Sequence, residues 1–417
     1  MSAKPTVLIL GGLPTAARHL TALLLPEHGD PLVSHVRIVD KYSIVPATTY
    51  LGSSFTEIIK NPLLQYQQAN LLSTATVTKV FDPPEGWEPF SYVFDCTGDI
   101  TFDRPNEIQR DQTARLAYSL GLESARRKVA AHVRLTHGFY ETEKKPAEEK
   151  DDLKPIGSRG VWWHEAIRML GGIPDLNLAV IRAATIYGPH NLTGLITPRL
   201  TMGRVYQHLN EEMKYLWSGD LRINTVHLED IAGAMWAVAE WMKAVGRAKA
   251  IELAGESIGF RALENASLLE GLEGHLPKGS DPVVPLFNLV DDSDSTQESL
   301  GKAIAELFGI KFGFYGFIVN TKIKMDFDNM VEEINGKHVE AWTDICMKSD
   351  PPMINPILQA YIDGYMLTKS AVAYKGDKIK NVVGYKLKRP KLDTQTLKEV
   401  LVAFRAEGNW PNYQDTV

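Results

Sequence analysis

The sequence predicts an α/β protein built on a parallel sheet, and two observations carry that prediction. Through the first half of the chain, short apolar runs alternate with helical patterns, the signature of βαβ units. The first apolar run, Thr6 to Leu10, leads directly into Gly11-Gly12 and then an apolar helix through Leu20, Leu23, Leu24 and Leu25. The 417 residues, 44% hydrophobic and 23% charged, suffice for one large unit with a smaller lobe, or for two ordinary domains around a sizeable core.

Taken in order, Val36 to Val39 is a second strand ending at Asp40, Ala75 to Val80 a third and Tyr92 to Cys96 a fourth. The pattern over Thr113 to Lys128 predicts a helix, and His132 to Thr136 a fifth strand. Glu141 to Leu153, dense in Glu, Lys and Asp, reads as a solvated loop. Trp162 to Leu170 returns to helical spacing, and Leu178 to Arg182 is a further strand running on to Tyr187-Gly188-Pro189. Arg204 to Tyr215 and Asp230 to Val245 are helical in pattern, with an irregular, Gly-rich insertion over Gly246 to Pro285. Phe287 to Val290 is a late strand. Ser295 and Glu298 then make a capping-box-like pair that opens a helix. Beyond residue 320 mixed helical segments suggest a C-terminal cap.

Composition removes several function classes. A formal net charge of -6 argues against a general nucleic-acid binder. No apolar run approaches the roughly 18 residues of a membrane span. Met1 to Pro5 enters a strand too short for a secretory core, so a cytoplasmic protein is expected. Two cysteines, Cys96 and Cys346, are too few for a disulfide framework or a cysteine-rich metal site. His137, His164, His190 and His227 lack metal-binding spacing, and no metal is expected.

Six ordered segments carry a resemblance: Val7-Leu8-Ile9-Leu10-Gly11-Gly12, Val36-Arg37-Ile38-Val39-Asp40, Val93-Phe94-Asp95-Cys96-Thr97-Gly98, Thr136 to Tyr140, Val180-Ile181-Arg182 with Ile186-Tyr187-Gly188-Pro189, and Asn224 to Asp230. Over roughly residues 6 to 310 the chain resembles the extended short-chain dehydrogenase/reductases of the epimerase and dehydratase type. The resemblance implies a Rossmann-like doubly wound parallel sheet with a smaller C-terminal substrate and cap lobe. It puts the dinucleotide-type domain at residues 1–190, with core strands also from about 220–232 and 285–292. The lobe over residues 191–417 is interleaved with that core. A bound dinucleotide, a small-molecule substrate and a homodimer are implied in the same way.

Against the family's Gly-x-x-Gly-x-x-Gly loop, the chain has Gly11, Pro14 and Ala17. Glycines there permit a tight turn and let helix N-terminal amides face a pyrophosphate. Pro14 has no N–H and fills space that a cofactor approaches, although proline suits a helix's first turn. Asp40 can accept both ribose hydroxyls of an adenosine and would repel the extra phosphate of NADP, which favours NAD. Asn70 falls where an adenine contact is implied, and Thr97, in the Val93 to Gly98 segment, is a further cofactor-binding candidate. Pro14 opposes dinucleotide binding while Gly11, Gly12 and Asp40 support it.

The family's Tyr-x-x-x-Lys pair is missing. Alignment on Glu165 puts its positions at Gly157 and Val161, and a shift of one residue gives Ser158 and Trp162. Thr136, four residues before Tyr140, matches the family's hydroxyl residue at a strand end. Thr136, Tyr140 and His164 are therefore the candidates for hydrogen bonding and proton transfer. His137, Trp162, Trp163, Tyr187, His190, Asn191 and Arg222 are candidates for a substrate pocket, with at most two of Trp162, Trp163 and His164 facing inward. Arg222 lies one residue from a diphosphate-binding arginine of the family, and Asp230 reads as a helix N-cap.

Three functions compete on these residues. The leading one is an enzyme that has left hydride transfer for isomerisation, elimination, cyclisation or C–C bond chemistry on a small organic molecule. The others are an atypical NAD-dependent oxidoreductase or epimerase and a non-catalytic binding or scaffold protein.

Overall fold

The computed structural model describes residues 4–142, 145–262, 266–316 and 326–414. Parts of four sequence readings fall outside these residues: 1–3 at the N-terminus, 143–144 in the charged loop, 263–265 in the Gly-rich insertion, and 320–325 with 415–417 in the C-terminal stretch.

The first half runs β1 (Thr6–Leu10), α1 (Ala16–Leu24), β2 (His35–Asp40), α2 (Ser53–Ile58), β3 (Leu64–Gln68), α3 (Thr74–Val80) and β4 (Tyr92–Asp95). A continuous helical stretch follows: α4 (Asn106–Gln109), a π-helical turn (Arg110–Arg115) and α5 (Leu116–Arg126). Next come β5 (Ala131–His137), α6 (Gly157–Gly171), β6 (Leu178–Ala183), β7 (Thr185–Tyr187), α7 (Ile196–Leu209), β8 (Met213–Tyr215) and β9 (Thr225–His227). The remainder comprises α8 (Leu228–Ala254), β10 (Gly255–Ser257), β11 (Val283–Leu289), α9 (Gln297–Phe308), β12 (Phe312–Phe314), α10 (Phe327–Lys348), α11 (Gly364–Leu367) and α12 (Thr394–Ala406).

Eight strands form one sheet in the order β10-β11-β6-β5-β4-β1-β2-β3. Every pair in it is parallel except β10 with β11. Chain order reverses between β1 and β4, so the crossovers leave that point on opposite sides and open a crevice at the strands' carboxyl ends. The central strands are buried on both faces, which is why Val7 to Leu10 of β1 and Leu178 to Ile181 of β6 read as unbroken apolar runs. One face packs on α1 and α8 through Leu20, Leu24, Val238 and Met242. The other packs on α5 and α6 through Ala117, Trp162, Ala166 and Leu170. A second core, with Leu200, Ile304, Trp342, Phe404 and Trp410, holds the C-terminal lobe together.

Several sequence expectations need correction. Ala75–Val80 is not a strand but the body of α3. Ser73 caps it, accepting from Thr76 N–H (3.4 Å), and Val77 and Val80 share one buried face at helical spacing. The third strand is instead β3, whose sequence LQYQQ is polar because it is the sheet's edge and half-buried. The segment expected as a core strand near 220–232 contains β9, which pairs with β7 in a separate two-stranded sheet. Tyr215 belongs not to a helix but to β8, because α7 stops at Asn210 in a left-handed turn (φ +52°). The box that opens α9 is Thr296 with Ser299, one residue later than Ser295 with Glu298. Asp230 is not the cap of α8. His227 Nδ1 accepts from Glu229 N–H, while the buried Asp230 carboxylate accepts from Tyr385 Oη and from the Lys388 and Arg389 amides, pinning the C-terminal segment. Within the charged loop, Ala147 and Glu149 are buried, and Glu149 accepts from the Asn288 amide of β11.

Among the described residues no helix is long and apolar enough to cross a membrane, and no group of three or more His, Cys, Asp or Glu is placed to hold a metal ion.

Candidate functional site

The crevice at the β1/β4 switch point is a cleft of about 570 Å³. Gly11, Gly12, Pro14, Asp40, Asn70 and Thr97 all line it, so the structure brings the whole set of nucleotide candidates together. Gly11 (φ +67°) and Gly12 (φ +75°) make the turn out of β1. A Cβ on Gly12 would stand 2.5 Å from Cys96 Cβ, so only glycine fits there. The Gly12 carbonyl takes the amides of Thr15 and Ala17, which starts α1 in spite of Pro14.

Asp40 closes the cleft's wall at the end of β2. Its carboxylate accepts from Leu13 N–H (2.9 Å) and Lys41 N–H (2.6 Å). Burial raises its pKa, and those amide bonds oppose the shift. Each oxygen carries a second lone pair, so both can still accept a ribose hydroxyl. The Asn70 carbonyl oxygen, the atom meant for an adenine amine, is engaged by Leu72 N–H (3.1 Å). Thr97 is braced from below: its N–H and Oγ1 donate to Asp95, and its Oγ1 accepts from Arg134 (3.0 Å). Burial alone would push the Asp95 carboxyl up, but the Arg134 guanidinium at 2.6 Å outweighs it and holds the carboxyl well below the usual range.

A second, inner cavity of about 200 Å³ adjoins this cleft, and Thr15, Ile100, His137 and Thr193 line both. His137 therefore stands at their junction. Its imidazole is stacked with Phe139 (5.2 Å) and edge-on to Trp163 (5.0 Å). Burial drives its pKa down to about 3, and the Arg159 and Arg134 charges add to the effect, so the ring is neutral at physiological pH.

Helix α6 meets this junction through Arg159 and Trp163, one turn apart. Arg159 lines the cavity, lies 3.9 Å over the Phe139 ring, and donates to the Ile100 carbonyl (2.6 Å). Trp163 is 2% exposed, donates to the Asp99 carbonyl (3.0 Å), and lies against the Arg134 guanidinium (4.9 Å). The neighbouring residues face elsewhere. Ser158 Oγ and Trp162 Nε1 both donate to Asn106 Oδ1 on α4, and Trp162 is core. Of α6 only Arg159 lines the cavity, two residues after the Gly157 of the sequence alignment, while Trp163 is buried behind His137.

The three proton-transfer candidates do not converge on either space. Strand alternation sends Leu135 and His137 to the cleft, while Thr136 Oγ1 is buried without a partner among the described residues. Tyr140 and His164 do meet, Oη to Nδ1 at 3.2 Å, but His164 Nε2 is committed to the Gly259 carbonyl (2.7 Å) and neither residue lines the cleft or the cavity. Burial lowers the His164 pKa to about 4.

Of the pocket candidates, His137 and Asn191 line the cavity. The Asn191 side chain braces its own loop, donating to the Ile186 (3.3 Å) and Thr193 (3.1 Å) carbonyls. Tyr187 packs on His227 and donates to the Lys391 carbonyl. His190 is held by Tyr50 (2.9 Å) and faces Glu407 of the lobe's last turn. Arg222 forms a two-pronged ion pair with Asp294 (2.8 and 3.0 Å) at the surface. Sequence reasoning missed Arg159, Arg199, Gln297 and Tyr365, all of which line the cavity. The i, i+4 spacing of Arg159 and Trp163 was the one available signal; the other three come from distant segments.

No protein-family model matches the chain, and no curated protein matches it. Solved structures do. Pal from Bacillus thuringiensis superposes with a TM-score of 0.60 at 14% identity, covering 96% of this chain and 99% of that one. UDP-glucose 4-epimerase from Thermotoga maritima, solved with UDP-glucose, gives 0.58 at 14% identity, with 96% and 99% covered. WbmG from Bordetella bronchiseptica, solved with NAD and UDP, gives 0.57 at 12% identity, with 97% and 96% covered. At these identities the likeness is one of fold, and with the strand order and switch-point cleft it is decisive: the chain has the fold of the extended short-chain dehydrogenase/reductases of the epimerase and dehydratase type.

Proposed function

We propose that the chain is an enzyme on this fold that keeps a dinucleotide cleft and has given up ordinary hydride transfer. It carries out a non-redox step (isomerisation, elimination, cyclisation or C–C bond chemistry) on a small organic molecule in the inner cavity. The observation that carries this reading is the pair on α6. Helix α6 carries neither Tyr nor Lys: what it presents to the cavity is the Arg159 guanidinium, with the buried Trp163 indole one turn on, packed edge-on against His137. Neither the guanidinium nor the indole exchanges protons at physiological pH.

The residues that would hold NAD are the glycine turn and Asp40, which line one cleft with Pro14 and Thr97 and leave both Asp40 oxygens able to accept a ribose hydroxyl. When bound there, a nicotinamide dinucleotide supplies hydride acceptance or donation. The chain's own residues supply different chemistry. His137, neutral and between both spaces, hydrogen-bonds a substrate atom through a ring nitrogen, its low pKa keeping it an uncharged donor or acceptor. Arg159 stabilises negative charge that develops beside it, with Phe102, Phe139 and Tyr365 keeping water out of its vicinity. In this scheme Thr136, Tyr140 and His164 position the end of β5 and the start of α6 from behind.

The test uses purified protein in D2O with a panel of small carboxylic acids and added NADH or NAD. Expected is deuterium incorporation or a product of unchanged oxidation state, with NADH absorbance flat, and loss of that turnover in His137→Gln. Turnover in step with NADH consumption would refute it. That result would favour the second reading, an oxidoreductase with Tyr365 as proton donor, which the open cleft and Asp40 support.

A further inference from the structure

The inner cavity carries more positive charge than its walls account for. Arg159 and Arg199 both line it, and no Asp or Glu does among the described residues. Arg199 is only 8% exposed. Its Nη1 has no hydrogen-bond partner among the described residues, and its Nη2 reaches Gln297 Oε1 only at 3.4 Å. The rest of its support is the Tyr215 ring, 4.1 Å below the guanidinium. Arg159 Nε is likewise buried and unpartnered. Asp99 and Asp363 act on Arg159 through space, but neither arginine makes an ion pair among the described residues. The other walls, including Phe102, Phe139, Ile186, Ile223 and Val372, are apolar. A guanidinium held in such surroundings without a counter-charge is costly, and an oxyanion offering two acceptors relieves that cost through paired N–H bonds.

We infer that the cavity takes a small organic oxyanion: one apolar or aromatic body with a single carboxylate or phosphate head, the head held by Arg199 and the body lying along Phe102 and Phe139 toward His137 and Arg159. This rests on the proposed function, whose substrate class it names. It also separates the ligand from a sugar nucleotide, because Arg222, the residue implied for a diphosphate, is spent on Asp294 outside the cavity.

The experiment is calorimetric titration of the full chain with phenylacetate, phenyl phosphate and the neutral phenylacetamide, with no turnover required. Expected is saturable binding of at least one anion, roughly tenfold or more tighter than the amide, as charge-assisted hydrogen bonds imply. Arg199→Gln should lose that preference and Arg199→Lys should retain part of it, with circular dichroism confirming that both fold. The stronger of the two anions identifies the head group. Amide binding equal to the anions, or no anion binding at millimolar concentration, overturns the inference. If Arg199→Gln does not fold, the anion-to-amide ratio of the wild-type protein decides alone. Redox turnover would refute the proposed function without touching this ratio, so the two failures are distinguishable.

Discussion

Replacing Gly98 with alanine tests how tightly the floor of the site is built. Gly98 follows β4 with φ +127°, a region L residues rarely adopt. A Cβ there would stand 2.5 Å from Trp163 Cζ2 and 2.7 Å from Cη2. The indole cannot retreat easily. It is 2% exposed, its Nε1 is bonded to the Asp99 carbonyl, the Arg134 guanidinium lies 4.9 Å away, and His137 packs edge-on at 5.0 Å. Backbone strain of this kind costs about 1–3 kcal/mol. Overpacking a filled interior costs about 1–3 kcal/mol more. The expected destabilisation of Gly98→Ala is therefore about 2–6 kcal/mol, a large share of a typical domain's stability. Urea unfolding followed by circular dichroism measures it, and tryptophan fluorescence reports displacement of Trp163. The double variant Gly98→Ala/Trp163→Phe separates the two contributions, since phenylalanine lacks the struck benzo-ring atoms but leaves the backbone strain in place. A Gly98→Ala protein within about 0.5 kcal/mol of wild type, the range of a neutral surface change, would refute the packing described here.

Two further outcomes follow from the same structure. Stability should fall on acidification from about pH 6.5 toward pH 4. His19 and His137 have pKa values pushed to about 3, and His164 and His338 to about 4, all by burial, so the unfolded chain binds protons over that window while the folded one does not. Asp291, raised to about 6 by burial, works in the opposite direction, as do Asp40, Glu149 and Glu165, while His190 and His227, also lowered by burial, add to the fall. A thermal midpoint that is flat or rising between pH 6.5 and pH 4.5 would contradict this. Arg222→Ala should cost no more than about 1 kcal/mol, because its Asp294 partner is 55% exposed. It should leave phenylacetate binding unchanged, and a tenfold loss of affinity would put Arg222 back in the site.

The sequence and the structure part company at identifiable places. The glycine turn, Asp40 and Thr97 were legible because each follows directly from a buried strand, where local chemistry and position along the chain coincide. Edge strand β3 was not legible, because an edge position leaves LQYQQ half-solvated and removes the apolar signal. α3 was mistaken for a strand because Thr and Val favour strands, yet the Ser73 cap and a buried Val77/Val80 face decide for helix. Thr136 was chosen over His137 by motif alignment, whereas the alternation of β5 decides which of two adjacent side chains enters the cleft.

By itself, the sequence determined the α/β class, most of the parallel strands and the nucleotide-type turn. These depend on periodicities and short motifs that the chain carries locally. Which side chains line the two spaces was decided by tertiary structure. Whether α6 presents Gly157 or Arg159 to the cavity depends on helix rotation, which is set by where Trp162 and Ala166 find the core. The charge of the inner cavity depends on α7 and α11 arriving from residues far along the chain, with Arg199 and Tyr365 brought beside His137 only by the packing of the C-terminal lobe.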